Sequence, residues 1–279
     1  MAVRTDLALE LAEGRRVQQR TQTLEGFSLH TVTVTESDTD FGRPPGRYAT
    51  LSIRDLLRRE TDAFPRACRA VAQILRQLAP SNQDPRAPVL VIGLGNRAVT
   101  PDAIGPLCCQ NVLATRHLVE QSPEQFRAFR PVAVLAPGVL GELVLGVIDR
   151  IHPELILAVD ALAARRLSRL MCTIQMTDTG IVPGSGVGNA RTALTQTALG
   201  VPVLSIGVPT VVDGATLAAD IAQQSGAQCE ALDDLNTPVL VTTRDVDQQT
   251  ADAARVIGYG INLFLHPSLD IADMELFLS

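Results

Sequence analysis

The chain has 279 residues, 46% of them hydrophobic and 19% charged, which is enough apolar material for a sizeable core and too much for a disordered chain. Aromatic residues are 3% with no Trp and the net charge is -6, so stacking platforms for single-stranded nucleic acid are scarce and the overall field repels phosphate. All 24 basic residues are Arg, which removes the ε-amine that a P-loop, a Schiff-base enzyme or a Ser-Lys dyad requires.

Phe27 to Thr35 alternates apolar and polar residues, and Tyr48 to Ile53 does so more weakly beyond the turn-rich stretch Gly42 to Gly46. This pattern predicts a paired hairpin or edge ribbon. Apolar positions from Asp55 to Leu78 follow helical spacing, with Pro65 breaking or restarting the helix, and Pro80 to Pro88 reads as a linker. The pattern then alternates. A strand over Val89–Ile92 precedes a helix over Asp102–Val119, a strand over Val132–Leu135 precedes a helix over Glu142–Ile151, and a strand over Leu155–Val159 precedes a helix over Ala161–Leu167. A strand over Met171–Met176, a glycine-rich loop, a strand over Val203–Gly207, a helix over Ala215–Gln223, a strand over Val239–Thr242 and a helix over Asp245–Leu265 follow. Continuous apolar strands separated by helices predict a doubly wound α/β domain with a mostly parallel sheet. It forms a single domain over 1–279, with an N-terminal elaboration (1–87), a core (88–265) and a tail (266–279).

Five cysteines, Cys68, Cys108, Cys109, Cys172 and Cys229, show no C-x-x-C spacing, which suits buried thiols in a reducing compartment. No apolar run reaches the roughly 18 residues that would span a bilayer and no apolar signal segment opens the chain, so a cytoplasmic protein without a membrane partner is expected. Gly93-Leu94-Gly95-Asn96-Arg97-Ala98 after a strand fits a permissive dinucleotide fingerprint. Thr100-Pro101, however, places the helix start well downstream of the glycines, and no acidic residue closes the second strand. No cofactor is called for. No H-E-x-x-H or comparable metal-ligand spacing occurs, and no Ser sits in a G-x-S-x-G elbow.

Open parallel sheets bind ligands beyond the carboxyl ends of their strands. Asp102 is expected after the first core strand, Asp160 at the end of the third, Asp178 after the fourth and Asp213 after the fifth. For each alone, capping of a helix is the competing role. Two carboxylates on one sheet edge can do more: sharing one proton, one takes a proton from water while the other donates to a carbonyl oxygen, an arrangement that suits peptide hydrolysis.

The segments VRTDLALE (Val3 to Glu10), GRYATL (Gly46 to Leu51), GLGNRAVTPDAIGP (Gly93 to Pro106), NVLATRHL (Asn111 to Leu118), FRPVAVLAPGV (Phe129 to Val139), VDALAARR (Val159 to Arg166), DTGIVPGSGVGN (Asp178 to Asn189) and GVPTVVD (Gly207 to Asp213) resemble, in order, the germination protease family of spore-forming bacteria. The resemblance implies a fold similar to hydrogenase maturation endopeptidases and an atypical aspartic endopeptidase, made as a zymogen, that degrades small acid-soluble spore proteins. It implies Asp102 and Asp160 as the catalytic pair, with Asn96, Thr100, Glu142, Arg165, Asp178, Ser185, Asn189 and Asp213 as substrate-binding or supporting positions. It also implies a homo-oligomer, a tetramer being the form it points to, in the cytoplasm of the forespore or spore core, with no direct nucleic-acid contact.

Three departures stand out. Met1 and Ala2 alone precede V-R-T-D-L-A, so action without N-terminal trimming is expected. The loop between Gly138 and Gly146 is short, leaving Glu142 as the counterpart of a family G-x-E-T-like stretch. Val182 stands where relatives carry a His. A metal-dependent maturation-type peptidase and a non-catalytic protein-binding homologue are the alternatives.

Overall fold

The computed structural model describes residues 4–138, 142–184, 192–225 and 239–278. Among the described residues nine strands form one sheet: β1 (Gln18–Leu24), β2 (Phe27–Val34), β3 (Gly46–Ser52), β4 (Val89–Leu94), β5 (Val132–Gly138), β6 (Leu155–Ala164), β7 (Thr173–Thr177), β8 (Val203–Asp213) and β9 (Leu240–Val241). The described helices are α1 (Ala8–Leu11), α2 (Arg54–Leu57), α3 (Ala63–Leu78), α4 (Ile104–Cys109), α5 (Arg116–Gln121), α6 (Glu142–Ile151), α7 (Gln196–Leu199), α8 (Gly214–Ser225), α9 (Val246–Leu265) and α10 (Ile271–Leu278). The strand order is β1-β2-β3-β7-β8-β6-β4-β5, with β9 paired to β8. The expected α/β sheet is present. Parallel pairing runs β8-β6-β4-β5 to one edge of the sheet, and the N-terminal ribbon, β7 and β9 join antiparallel, so the sheet is mixed.

The central strands are apolar throughout because both faces are covered. Val89 and Val91 of β4 and Leu155, Leu157 and Val159 of β6 face a core built with α3, α4 and α9. The alternate residues, Leu90, Ile92, Ile156 and Ala158, pack with Val144 and Ile148 of α6. Pro65 lies in the first turn of α3, where its missing N–H costs nothing, so the helix starts after Asp62 and is separate from α2.

The structure departs from these expectations along β6 and β8, in the segment after β4, and at the N-terminal edge. The helix over Ala161–Leu167 does not form; β6 continues to Ala164, because Ala161 to Ala164 pair with Val208 to Val212 of β8 and sheet pairing overrides the helix preference of alanine. Asp160 is therefore inside the strand rather than at its end, and β8 likewise runs on so that Asp213 is its last residue. The helix over Asp102–Val119 is divided into a 3-10 turn (Thr100–Asp102), α4 and α5. Asn262 of α9, fully buried, accepts from the Leu113 amide (2.9 Å) and donates to the Asn111 carbonyl (2.9 Å), drawing that segment out of helix. Strand β1, absent from the sequence reading, is a polar edge strand joined to β2 by the two-residue turn Glu25-Gly26, both at positive φ (50° and 85°). That is the twist a tight hairpin demands, and polar residues suit an unpaired edge.

The tail is not loose chain. Met274 of α10 is buried, and His266, 1% exposed at the end of α9, lies against the Phe129 ring (centroids 5.4 Å apart). Burial, and secondarily the Arg130 guanidinium, hold the His266 pKa at about 4, and neither ring nitrogen has a hydrogen-bond partner among the described residues. The folded state thus binds this proton less readily than the unfolded chain. The contribution is complete above the unfolded value of 6.5 and is lost as pH falls from there toward about 4. The loss should amount to about 3 kcal/mol. Urea titrations of the wild type and of His266→Phe at pH 7 and pH 4.5 check this: the wild type should lose more stability between the two pH values than the variant does.

Candidate active site

Strand β6 outruns its neighbour β4. The last β4 pairing is Gly93 with Val159, whereas pairing with β8 continues to Ala164. Asp160 is the first residue of β6 beyond its pairing with β4, and a cavity of about 390 Å³ opens there. The cavity is walled by the loop after β4 (Val99, Pro101, Asp102), by Asp160 to Ala163 of β6, and by Thr210 and Val211 of β8. Leu240 and Thr242 from the β9 segment, together with Asp6 and Gly184, complete it. Asp102 and Asp160, predicted from the sequence, thus line one cavity.

Each carboxylate is held by backbone. Asp160, 4% exposed, accepts from the Ala161 amide (2.9 Å). Asp102 is half-buried, accepts from the Asn96 amide (2.7 Å), and its own amide donates to the Val99 carbonyl (2.8 Å). The glycines of the fingerprint-like motif serve this packing. A side chain on Gly95, at φ +114°, would stand 1.9 Å from the Asp102 carbonyl oxygen. Gly105 lets α4 settle onto the strand ends, where an added Cβ would lie 2.2 Å from the Leu94 oxygen and 2.6 Å from the Val159 oxygen. These approaches bring the Asp102 turn to the end of the Asp160 strand.

The N-terminal segment covers the edge of β6 that β4 leaves open. Asp6 pairs with Ala163 through both its amide (2.8 Å) and its carboxylate (2.9 Å), and Arg43 donates to the same carboxylate (3.1 Å). Glu10, 4% exposed, accepts from the Arg165 and Arg166 amides (2.7 and 3.0 Å). Neither residue is among the site positions expected from the sequence, although both stand in VRTDLALE. Their signal would have been two acids in a mostly apolar segment that needs amide partners once buried.

The other predicted positions are distributed. The Asn96 carboxamide accepts from the Ala98 amide (3.0 Å), shaping the loop that holds Asp102, and Thr100 opens the 3-10 turn. Arg165 turns to α8, donating to Asp220 (2.8 Å) and Gln223 (2.9 Å). Asp178 accepts from the Arg47 amide and Nε (both 2.8 Å), joining the ends of β3 and β7. Asp213 accepts from the Thr216 amide (2.9 Å) as the cap of α8. The Glu142 backbone begins α6. Ser185 and Asn189 lie outside the described residues.

Thiol chemistry is disfavoured at the four described cysteines, and Cys229 lies outside the described residues. Burial pushes the Cys109 pKa up to about 12 and those of Cys68, Cys108 and Cys172 above the ordinary thiol value, so none is held as a thiolate. Among the described residues no three His, Cys, Asp or Glu side chains come together as a metal-binding group.

A mixed α/β sheet with a carboxylate-lined cavity at the carboxyl edge of its parallel strands is the architecture of a hydrolase or ligand-binding α/β protein. The sequence model of germination protease, peptidase A25, matches residues 5–225, and the chain belongs to that family of peptidases. It is 38% identical over 321 aligned positions to the germination protease of Caldanaerobacter subterraneus subsp. tengcongensis, covering 100% of this chain and 98% of that protein. It is 40% identical over 240 residues to that of Bacillus subtilis (strain 168), covering 78% of this chain and 65% of the relative. Among solved structures it resembles the [NiFe] hydrogenase maturation protease HycI of Thermococcus kodakarensis KOD1, with a TM-score of 0.39 and 15% identity, over 68% of this chain and 99% of that one.

Proposed function

We propose that the chain is an endopeptidase acting on small acid-soluble spore proteins, with Asp102 and Asp160 directing a water molecule onto the peptide carbonyl. The observation that carries this reading is that both carboxylates, supplied by different elements, line the same cavity. The ionised carboxylate takes a proton from water, whose oxygen bonds to the carbonyl carbon. The protonated one donates to the carbonyl oxygen. Collapse of the tetrahedral intermediate breaks the C–N bond, and the amine leaves with a proton returned from a carboxyl group. One water is consumed per bond cut, and no redox partner enters.

The rim supports a peptide substrate. Val99 and Leu240, 49% and 52% exposed, offer apolar surface to side chains flanking the bond. The same reading places the protein in the forespore or spore core as a homo-oligomer of the tetrameric kind. No described helix is long and apolar enough to cross a membrane.

Incubating the purified chain with a small acid-soluble spore protein, with and without chelator, tests the reading. Discrete cleavage of equal rate in both is expected. Loss with chelator and recovery with a divalent metal would replace the aspartate mechanism by a metal-dependent one, and binding without cleavage would make the chain a non-catalytic homologue.

A further inference from the structure

The cavity contains a polar group that the aspartate pair does not use. Thr210 is 0% exposed, lines the cavity with Asp102 and Asp160, and its Oγ1 has no hydrogen-bond partner among the described residues. Burying a hydroxyl without a partner costs free energy, so such a group calls for an explanation. Thr50, Thr173 and Thr250 carry similarly unpartnered hydroxyls, but none of them lines this cavity.

The backbone sets Thr210 apart. Pairing of β6 with β8 runs Asp160 with Gly207, Ala161 with Val208 and Leu162 with Pro209, then resumes at Ala163 with Val211. Thr210 is thus the extra residue of a β-bulge, directly after a proline that has no N–H to give to the ladder. Its carbonyl accepts from Thr242 Oγ1 (2.7 Å), which ties the bulge to the segment after β9. A bulge re-aims one side chain while leaving the strands on either side in register. Here the bulged residue belongs to the wall of the aspartate cavity. Among the described residues no His lines that cavity, and a threonine hydroxyl, a far weaker acid than a carboxylic acid, keeps its proton and acts as a donor.

We propose that Thr210 is a substrate-contacting residue of the peptidase reaction, its hydroxyl donating a hydrogen bond to a backbone carbonyl oxygen of the peptide in the cavity. This fixes the scissile bond relative to Asp102 and Asp160, and it rests on the function proposed above. The hydroxyl forms no covalent bond.

Thr210→Val and Thr210→Ser, assayed on a small acid-soluble spore protein beside Asp160→Asn, test it. The valine variant should lower kcat/KM by about 10- to 100-fold, because it sets a methyl group against the substrate carbonyl in place of a donor, and serine should recover most of that loss. The thermal midpoint of the valine variant should equal or exceed that of the wild type, since a methyl replaces an unpartnered hydroxyl. On the Asp160→Asn background, where substrate is bound and not cut, adding Thr210→Val should raise the Kd about tenfold. Unchanged kcat/KM and Kd in the valine variant, a serine variant no better than valine, or a lowered thermal midpoint with valine would each overturn the proposal. Full activity of Asp160→Asn would instead overturn the aspartate mechanism, leaving the Thr210 measurements to stand or fall on their own.

Discussion

Asp102→Asn and Asp160→Asn should each reduce peptidase turnover by orders of magnitude while leaving the protein folded. Asparagine keeps an oxygen for the amide that each side chain accepts from, Asn96 for Asp102 and Ala161 for Asp160, so the local backbone has no reason to rearrange. What it removes is the capacity to take up and give back a proton. The double variant should be little worse than either single one, because two groups acting on one water form a unit whose parts are non-additive. The wild-type rate should fall on both sides of an optimum pH, since one carboxyl must be ionised and the other protonated. Circular dichroism and thermal unfolding of the variants establish that the fold is intact. Near-normal turnover in either single variant would remove that residue from the mechanism.

Gly105→Ala should be among the most damaging substitutions of a single methyl group in the chain. The new Cβ would lie 2.2 Å from the Leu94 oxygen, 2.4 Å from the Leu94 nitrogen and 2.6 Å from the Val159 oxygen. All three are backbone atoms of paired central strands, and they cannot turn aside as a flexible side chain would. Helix α4 must lift, which opens the core around Ile104 and Cys108 and displaces the Asp102 turn that precedes it. A loss of about 3 kcal/mol or more is expected, together with reduced activity. Gly146 in α6 supplies the control. Nothing lies within 4 Å of its added Cβ, so Gly146→Ala should leave stability unchanged or raise it by up to about 1 kcal/mol. Denaturant midpoints of the two variants would separate the steric argument from a general intolerance of alanine, and equal midpoints would defeat it.

The legible parts of the fold were those where one physical signal dominated. Val89 to Ile92 and Leu155 to Val159 read as buried strands because nothing polar interrupts them, and α9 read as a helix because its apolar spacing holds over its whole length. Asp102 and Asp160 were legible as sheet-edge acids before the resemblance separated them from Asp178 and Asp213. What escaped was decided by partners distant in sequence. Ala161 to Ala164 is strand because β8 is beside it, and the break near Asn111 depends on a side chain 151 residues away. Asp213 takes the capping role that a single acid at a helix start suggests, and the bonds of Arg165 to α8 have no local signal in the sequence. The Thr210 bulge has no signature in a single sequence beyond the proline before it. It exists only as a mismatch between two strands.

On the mechanism proposed above, the position of Asp160 inside β6, rather than on a loop, decides which partner does the adapting. A carboxylate on a strand bonded through backbone to β8 and bordered by the Asp6 and Glu10 contacts of the N-terminal segment has little positional freedom to lose. The ordering entropy of association therefore falls almost wholly on the peptide. A site of that kind discriminates by the looseness of its target: a segment already extended and unstructured enters at small cost, whereas the same residues folded into a stable domain must first be unfolded. Selectivity for pliable proteins over compact ones would then need no dedicated recognition surface, because it would be inherent in a rigid strand carrying Asp160 in the role proposed above.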